Sequence, residues 1–242
     1  MAIDSLRRPA SDLAADLMVG GGSLTLAHER LFPIRPELAS LFGVECTGDD
    51  APLGLARGHT VMCSGAAAMS CALAIAAGPS RAGSWVAVVG EPRLAPSAAA
   101  EAGVILRRTV FVDDPRDGDP ASVLSALIDG IEIILVSSVV MSALPPSLVR
   151  RVQSRVQSRG AVLLVAGAVT TVVADLHLTT RAHGWEGLGE GFGHLHRRRI
   201  HVELDRRRGR PTNGEFWMPG AHGGVEVVSR GGASVVPLRR TG

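Results

Sequence analysis

From residue 60 onwards, hydrophobic residues occur in short uninterrupted runs separated by helix-like segments. The runs are TVMC (60–63), WVAVV (85–89), TVFV (109–112), IEIILV (131–136) and AVLLVA (161–166). Helix-like segments lie between several of them, at 66–77, 96–102, 120–130 and 145–160. Strands that are apolar on both faces and alternate with helices are typical of a parallel sheet covered on both sides. The pattern therefore predicts an α/β fold with a mainly parallel sheet flanked by helices.

After residue 168 the pattern changes to an alternation of apolar and polar residues. The alternating segments are ADLHLTT (174–180), RIHVELD (199–205) and GVEVVS (224–229). A period of two is typical of strands with one solvated face, so we predict antiparallel strands added at the edge of the sheet. Five glycines between the first two segments favour a tight loop or hairpin there.

The two ends of the chain differ from this core. At the N-terminus, Ser11 is a suitable N-cap for one short helix, and a second short helix is predicted over 36–43. At the C-terminus the sequence is rich in arginine. We therefore divide the chain into a helical lead-in (1–57), a core (58–204) and a basic C-terminal tail used for interaction (205–242).

The helix predicted over 145–160 repeats every four residues. One face carries Leu148, Val152 and Val156, and another carries Arg151, Arg155 and Arg159. The apolar face is expected to pack on the sheet. The arginine face is either a solvated surface or a ridge that contacts phosphates.

All 25 basic residues are arginine, and the sequence contains no lysine. No phosphate-loop lysine, Schiff-base lysine or lysine general base can therefore exist in this protein. Charge is also unevenly spread: residues 1–180 hold 14 arginines and 17 acidic residues, whereas residues 181–242 hold 11 arginines and 6 acidic residues. The basic part of the chain is thus its C-terminal quarter.

Composition excludes several other classes of protein. No apolar run reaches the roughly 18 residues needed to cross a bilayer, and the N-terminus lacks the layout of a secretion signal, so we expect a cytoplasmic protein. Cys46, Cys63 and Cys71 form no Cys-x-x-Cys pair and are expected to be reduced, with no metal site. With no tyrosine, five phenylalanines and three tryptophans, a base-stacking surface of the RNA-recognition type is not expected.

The first predicted strand and helix, GHTVMCSGAAAMSCALAIAA (58–77), have the layout of a phosphate-binding loop. Gly65 stands at the first glycine of the G-x-x-x-x-G-K-[ST] pattern, after a strand and before a helix. The chemical positions differ, because Ser70, Cys71 and Ala72 replace the second glycine, the lysine and the hydroxyl. We therefore expect this degenerate loop to be part of the core and the protein to use no nucleotide cofactor.

Four segments resemble the core of the RecA recombinases in order and spacing: GLARGHTVMCSGAAAMSCALAIAAG, SWVAVVGEPRLAP, GIEIILVSSVV and RGAVLLVAG. The resemblance implies a RecA-like three-layer fold. In this comparison Glu91 matches the catalytic glutamate, and Ser137 replaces the strand-end aspartate that helps to hold the metal. The long DNA-binding loops of RecA are nearly absent. The resemblance thus implies a RecA-like domain without ATPase activity.

The sequence resembles more specifically the actinobacterial ImuA-type proteins, RecA-related accessory factors of the DNA-damage mutasome. The matching segments are SWVAVVGEP, RGAVLLVAG, GWEGLGEGFGHLHRRRIHVE and FWMPG. The resemblance implies a non-catalytic adaptor in the translesion synthesis of the SOS response, associated with the nucleoid when DNA is damaged. The partners it implies are an ImuB-type inactive Y-family polymerase homologue and, indirectly, an error-prone replicative-type polymerase and the sliding clamp.

Two groups of residues are candidates for contact with partners. Aromatic and arginine side chains are common at interface hot spots, so the group expected to bind the protein partner is Phe216, Trp217, Met218, Arg206, Arg207 and Arg208. The alternative for its apolar triplet is a strand packed on the sheet. The group with a weak contact to DNA phosphates is Arg197, Arg198 and Arg199, and its alternative is a basic surface that meets solvent or an acidic partner. The neighbouring residues His194, His196 and His201 are expected to belong to the hairpin and to bind no metal.

Two other functions remain open at this point. One is a working RecA-type ATPase that uses Arg81 or Arg57 in place of the lysine. The other is a single-stranded-DNA-binding protein that acts in DNA repair through the arginine clusters. Magnesium-dependent binding of an ATP analogue would indicate the first, and salt-sensitive binding of single-stranded DNA would indicate the second.

Overall fold

The computed structural model of the chain describes residues 31–35, 38, 41–42, 54–115, 119–188, 193–207, 210–219 and 226–227. The predicted helix at Ser11, the thiol of Cys46 and the side chain of Arg208 lie outside these ranges.

The described strands form one nine-stranded sheet and one separate antiparallel pair. The pair is β1 (Leu31–Pro33) with β2 (Gly54–Ala56). The strands of the large sheet are β3 (Thr60–Gly65), β4 (Val86–Val89), β5 (Thr109–Val112), β6 (Ile133–Ser137), β7 (Val162–Ala166), β8 (Leu176–Leu188), β9 (Gly193–Arg206), β10 (Thr212–Pro219) and β11 (Glu226–Val227). Their order is β11-β10-β9-β8-β3-β7-β6-β4-β5, and the six strands from β8 to β5 are parallel.

Helices connect the parallel strands. They are α1 (Ala68–Arg81), α2 (Pro96–Glu101), α3 (Pro120–Gly130), α4 (Ser138–Ala143) and α5 (Pro146–Arg159), with a 3-10 turn at Leu106–Arg108. The four helices predicted after residue 60 are present, and α4 is an additional short helix that was not predicted. Within the described part of the chain, no helix is long and apolar enough to cross a membrane.

Both faces of the parallel strands are covered, which explains their unbroken apolar runs. Successive side chains of a strand point to opposite faces. Val86 and Val88 of β4 belong to the core on the α1 side, whereas Ala87 and Val89 belong to the core on the side of α3, α4 and α5. The arrangement has three layers, helix–sheet–helix, as the sequence predicted.

The pairing of β8 differs from the prediction of an antiparallel edge strand. β8 runs parallel to β3, with Val61 opposite Leu176 and Cys63 opposite Leu178, and only its other edge pairs antiparallel, with β9. The segment between β7 and β8 crosses over β3 and returns the chain to the amino end of the sheet. The alternation in β8 arises because Leu176 and Leu178 are buried against the α1-side core while Thr179 is partly exposed.

The predicted domain divisions do not coincide with breaks in the structure. β9 continues across the boundary at 204, and β10 pairs with it along its whole length. At the other end, Phe32 and Leu38 of the lead-in are buried in the α1-side core. The nine-stranded sheet and the α1-side core therefore extend across both predicted boundaries in the described part of the chain.

We expect Phe216→Ala to lower the free energy of unfolding by about 3–5 kcal/mol, because removal of a fully buried aromatic ring leaves a cavity. The matched variant Trp217→Ala changes a partly exposed neighbour on the opposite face of β10 and should cost less. Urea denaturation followed by circular dichroism measures both values. Equal losses in the two variants would contradict the assignment of Phe216 to the core.

Candidate functional site

The phosphate-loop position lies where β3 ends and α1 begins. Gly65 adopts φ +88°, a left-handed conformation that side chains disfavour. A Cβ atom at this position would lie 2.0 Å from the carbonyl oxygen of Thr180 in β8, so only glycine fits here. The strand–turn–helix context that the sequence predicted is present.

The hydroxyl group of Thr180, a residue of β8, lies at the start of α1. The backbone N–H of Ala67 donates a hydrogen bond to Thr180 Oγ1 at 3.0 Å, and this hydroxyl donates to the carbonyl oxygen of Ser64 at 2.6 Å. Phosphate-binding helices use the free N–H groups of their first turn to hold the anion. Here one of these groups is bonded to a buried side chain of the same protein.

The residues at the lysine and hydroxyl positions face the core. Cys71 is 2% exposed and Ala72 is fully buried. A hydrogen bond with Cys71, together with burial, raises the pKa of the Cys63 thiol well above its ordinary value. Cys63 therefore stays protonated at neutral pH. Both thiols are free and buried, which confirms the prediction of core cysteines for these two residues.

Arg198 places its guanidinium group beside the degenerate loop, which sequence reasoning did not predict. Its Nη2 donates a hydrogen bond to Ser70 Oγ, and the group lies 5.3 Å from the ring centroid of Trp185. Burial lowers the pKa of Arg198, but an arginine stays charged at neutral pH. The period-two alternation of β9 was the available signal, because it places Arg198 on the same face as the buried Ile200.

Arg197 and Arg199 lie on the opposite face of β9 from Arg198. Arg197 pairs with Glu186 at 3.0 Å and Arg199 with Glu215 at 3.9 Å. Both guanidinium groups also lie over the ring of Trp217, at 4.3 and 5.8 Å from its centroid. The three arginines thus do not form one surface, and their contact with DNA stays a prediction.

Glu91 and Ser137 lie at the same carboxyl edge of the sheet as Gly65, after β4 and at the end of β6. Partial burial raises the pKa of the Glu91 carboxyl, and Arg93 opposes this shift. Ser137 is 1% exposed and acts as the N-cap of α4, since its Oγ accepts a hydrogen bond from the Val140 N–H at 3.4 Å. Where the RecA pattern needs a metal-binding aspartate, this chain has a helix cap.

The predicted partner-binding triplet is divided between two faces of β10. Phe216 and Met218 are buried in the α1-side core, at 0% and 7% exposure, because Phe216 lies opposite Ile200 in the sheet. They therefore do not form the exposed apolar cluster that the hot-spot interpretation requires. Trp217 alone of the three is partly exposed, beneath the two arginine side chains of β9.

The arginines predicted to contact the protein partner also differ in their surroundings. Arg206 donates through Nη1 to the Arg210 carbonyl oxygen at 3.2 Å and so ties the end of β9 to the next loop. Arg207 is exposed. Among the described residues, no group of three or more His, Cys, Asp and Glu side chains is placed to hold a metal ion.

Comparison with known proteins gives the family. The family model called MT3502 N-terminal domain matches residues 51–171, which run from before β2 to just past β7. The chain belongs to this family. It is also 31% identical over 166 residues to the uncharacterized protein Rv3395c of Mycobacterium tuberculosis, an alignment that covers 65% of this chain and 79% of that protein.

Among solved structures, the chain is similar to the crystal structure of the RadB recombinase. The TM-score is 0.54 at 17% sequence identity, and the match covers 80% of this chain and 97% of that one. At this identity the likeness concerns the fold. It confirms the prediction of a RecA-like three-layer fold with added antiparallel strands.

We expect Thr180→Val to reduce the free energy of unfolding by about 1–3 kcal/mol, because the change keeps the shape but leaves the Ala67 N–H and the Ser64 carbonyl unpaired in the interior. Thr179→Val, on the opposite face of β8, is the matched control and should have little effect. Chemical denaturation of the two variants gives the difference, and an equal effect of both would show that the hydroxyl is dispensable.

Proposed function

We propose that this protein is a non-catalytic RecA-like adaptor that acts in DNA repair. The observation that carries the proposal is the bond between the Ala67 N–H and Thr180 at the start of α1, in a chain without lysine. ATP hydrolysis by a phosphate-loop protein needs free amides, a lysine and a metal-binding hydroxyl at this point. In their place this protein has buried side chains that hold β3, β8 and α1 together.

The positions of the two alternative arginines support the same conclusion. Arg81 is the last residue of α1, roughly 20 Å along the helix from its start, and its Nε donates to the Gly103 carbonyl oxygen at 3.2 Å. Arg57 precedes β3 at the opposite edge of the sheet and lies over the ring of Phe32, 3.9 Å from the centroid. Neither guanidinium group is near Gly65, so neither is suited to replace a phosphate-loop lysine.

The specific partners that we propose come from the resemblance to ImuA-type proteins. They are an ImuB-type polymerase homologue and, through it, an error-prone replicative-type polymerase and the sliding clamp, in the cytoplasm and at damaged nucleoid DNA. The RecA-like fold, shared with the RadB recombinase, is consistent with a function in DNA repair. An adaptor needs a stable scaffold and exposed side chains. Both are compatible with a phosphate-loop position at which the Thr180 hydroxyl is bonded to the start of α1.

An equilibrium titration with a fluorescent ATP analogue tests the absence of ATPase function. We expect no magnesium-dependent binding by the full chain. We also expect that Cys71→Lys does not create magnesium-dependent binding. This change should lower the melting temperature, because the new charge would be buried beside Cys63. Cys71→Ala is the control for loss of the thiol alone. Micromolar, magnesium-dependent affinity of the unmodified protein would overturn the non-catalytic proposal.

Co-purification with an ImuB-type protein tests the adaptor role. Deletion of residues 205–242 would remove β10 and its buried side chains, so the informative truncation ends at Pro219. We expect the full chain to capture the partner, and the truncated chain to lose capture if the end of the tail is the contact. Failure of the correctly folded full chain to capture the ImuB-type protein would refute the assigned partner.

A further inference from the structure

Two adjoining cavities lie at the amino edge of the parallel sheet, opposite the edge that carries Gly65. Their volumes are about 460 and 480 Å³, and both are lined by His59, Asp175 and Arg207. These residues precede β3, precede β8 and follow β9, which explains why they meet at one edge. Because the cavities share these side chains, we treat them as one groove, called here the amino-edge groove.

One half of the amino-edge groove is basic. It is lined by Arg57, Arg150 and Arg207, which come from the turn after β2, from α5 and from the residue after β9. Among the described residues, none of these three guanidinium groups has a carboxylate partner. Further along α5, by contrast, Arg155 and Arg159 both pair with Asp129.

Of the described residues that line the groove, one is acidic, and its carboxylate already has a partner. Asp175 Oδ2 accepts a hydrogen bond from the Thr60 N–H at 2.9 Å, and the Asp175 carbonyl oxygen accepts one from the Arg207 N–H at 3.0 Å. The Asp175 carboxylate therefore holds the strand ends together. One carboxylate facing three guanidinium groups leaves the basic half of the groove with a net positive charge.

The other half of the groove is mainly apolar but contains unsatisfied nitrogen atoms. Phe42, Leu55 and Leu176 line it. His59 Nδ1 and Arg206 Nη2, on side chains that also line it, are buried and have no hydrogen-bond partner in the described part of the chain. Buried polar atoms without a partner are rare, and they suit a ligand that brings a hydrogen-bonding oxygen next to an apolar group.

The walls of the groove are held in place by backbone contacts. Gly58 has φ +83°, and its N–H donates to the Ala161 carbonyl oxygen at 2.7 Å. A Cβ at Gly58 would lie 3.2 Å from the Cα of Gln157, so the turn packs closely on α5. Gln153 binds both Thr60 and Val173. A preformed groove loses little conformational entropy when a ligand binds.

We propose that the amino-edge groove binds an acidic segment of a partner protein. Its carboxylates would pair with Arg57, Arg150 and Arg207, and an adjacent aliphatic side chain would enter the apolar half. Carboxylates suit the forked guanidinium group, and an apolar anchor beside charge is a common form of protein recognition. This inference rests on the proposed adaptor function, for which it supplies a docking surface.

A nucleic acid fits the groove less well. Its phosphates would suit the arginines, but it has no aliphatic group for the apolar half. Sites for single-stranded nucleic acid stack successive bases on several aromatic side chains, whereas among the described residues that line this groove only Phe42 is a Phe, Tyr or Trp. The chemistry of the two halves together therefore favours an acidic peptide.

Fluorescence anisotropy of the full chain with a labelled synthetic peptide tests the inference. The probe is a short run of glutamates with one central leucine, and the comparison peptide has glutamine at every glutamate. We expect saturable binding of the acidic peptide alone, weakened at least about tenfold by the double change Arg57→Gln and Arg207→Gln. Arg107→Gln, an exposed arginine in the 3-10 turn before β5, is the matched control and should leave affinity unchanged.

Three results would overturn the inference: no binding of the acidic peptide, equal binding by the double variant, or tighter groove-dependent binding of oligo(dT) than of the peptide. Capture of the ImuB-type protein separates this inference from the adaptor proposal. If the unmodified chain and the double variant capture it equally, the groove is not the docking surface and the adaptor role stands. If neither chain captures the ImuB-type protein but the peptide still binds the groove, the assigned partner is wrong and the inference of an acidic-peptide site is retained.

Discussion

The Thr180 hydroxyl joins β8 to the turn at which α1 begins, by accepting a hydrogen bond from Ala67 and donating one to Ser64. This contact exists because β8 runs parallel to β3 and so brings residue 180 opposite Gly65. A fold of this type usually keeps the carboxyl end of its first strand open for a ligand. Here the same geometry is used to close the core, and the phosphate-loop position becomes a structural joint.

That joint changes where function is expected on the molecule. The carboxyl edge carries a helix cap at Ser137 and buried thiols at Cys63 and Cys71, none of which needs a ligand. The amino edge has three arginines without ion pairs among the described residues, beside an apolar cavity with unsatisfied nitrogen atoms. Among the described residues, arginines without ion pairs and unsatisfied nitrogen atoms thus occur together opposite the degenerate loop, which is consistent with a scaffold that meets other proteins.

The arginine-rich composition also has a structural use. Since the chain has no lysine, each cation is a planar fork that can stack on rings and bind two acceptors. Arg197 and Arg199 stack on Trp217, and Arg198 reaches the start of α1 beside Trp185. Runs that look like one basic patch in the sequence are divided by the strand alternation into an outer, ion-paired face and an inner face that packs on the degenerate loop.

The sequence by itself determined the layered α/β class, because strands buried on both faces must be apolar throughout, and it excluded lysine chemistry outright. It also located the degenerate phosphate loop at Gly65 and Cys71, and it located Glu91 and Ser137, which lie at the same edge of the sheet. Only the tertiary structure decided the parallel pairing of β8, the burial of Phe216 and Met218, and the separation of Arg198 from its neighbours. These depend on which strand lies beside which, and alternation along a strand shows that it has two faces without showing what covers each of them.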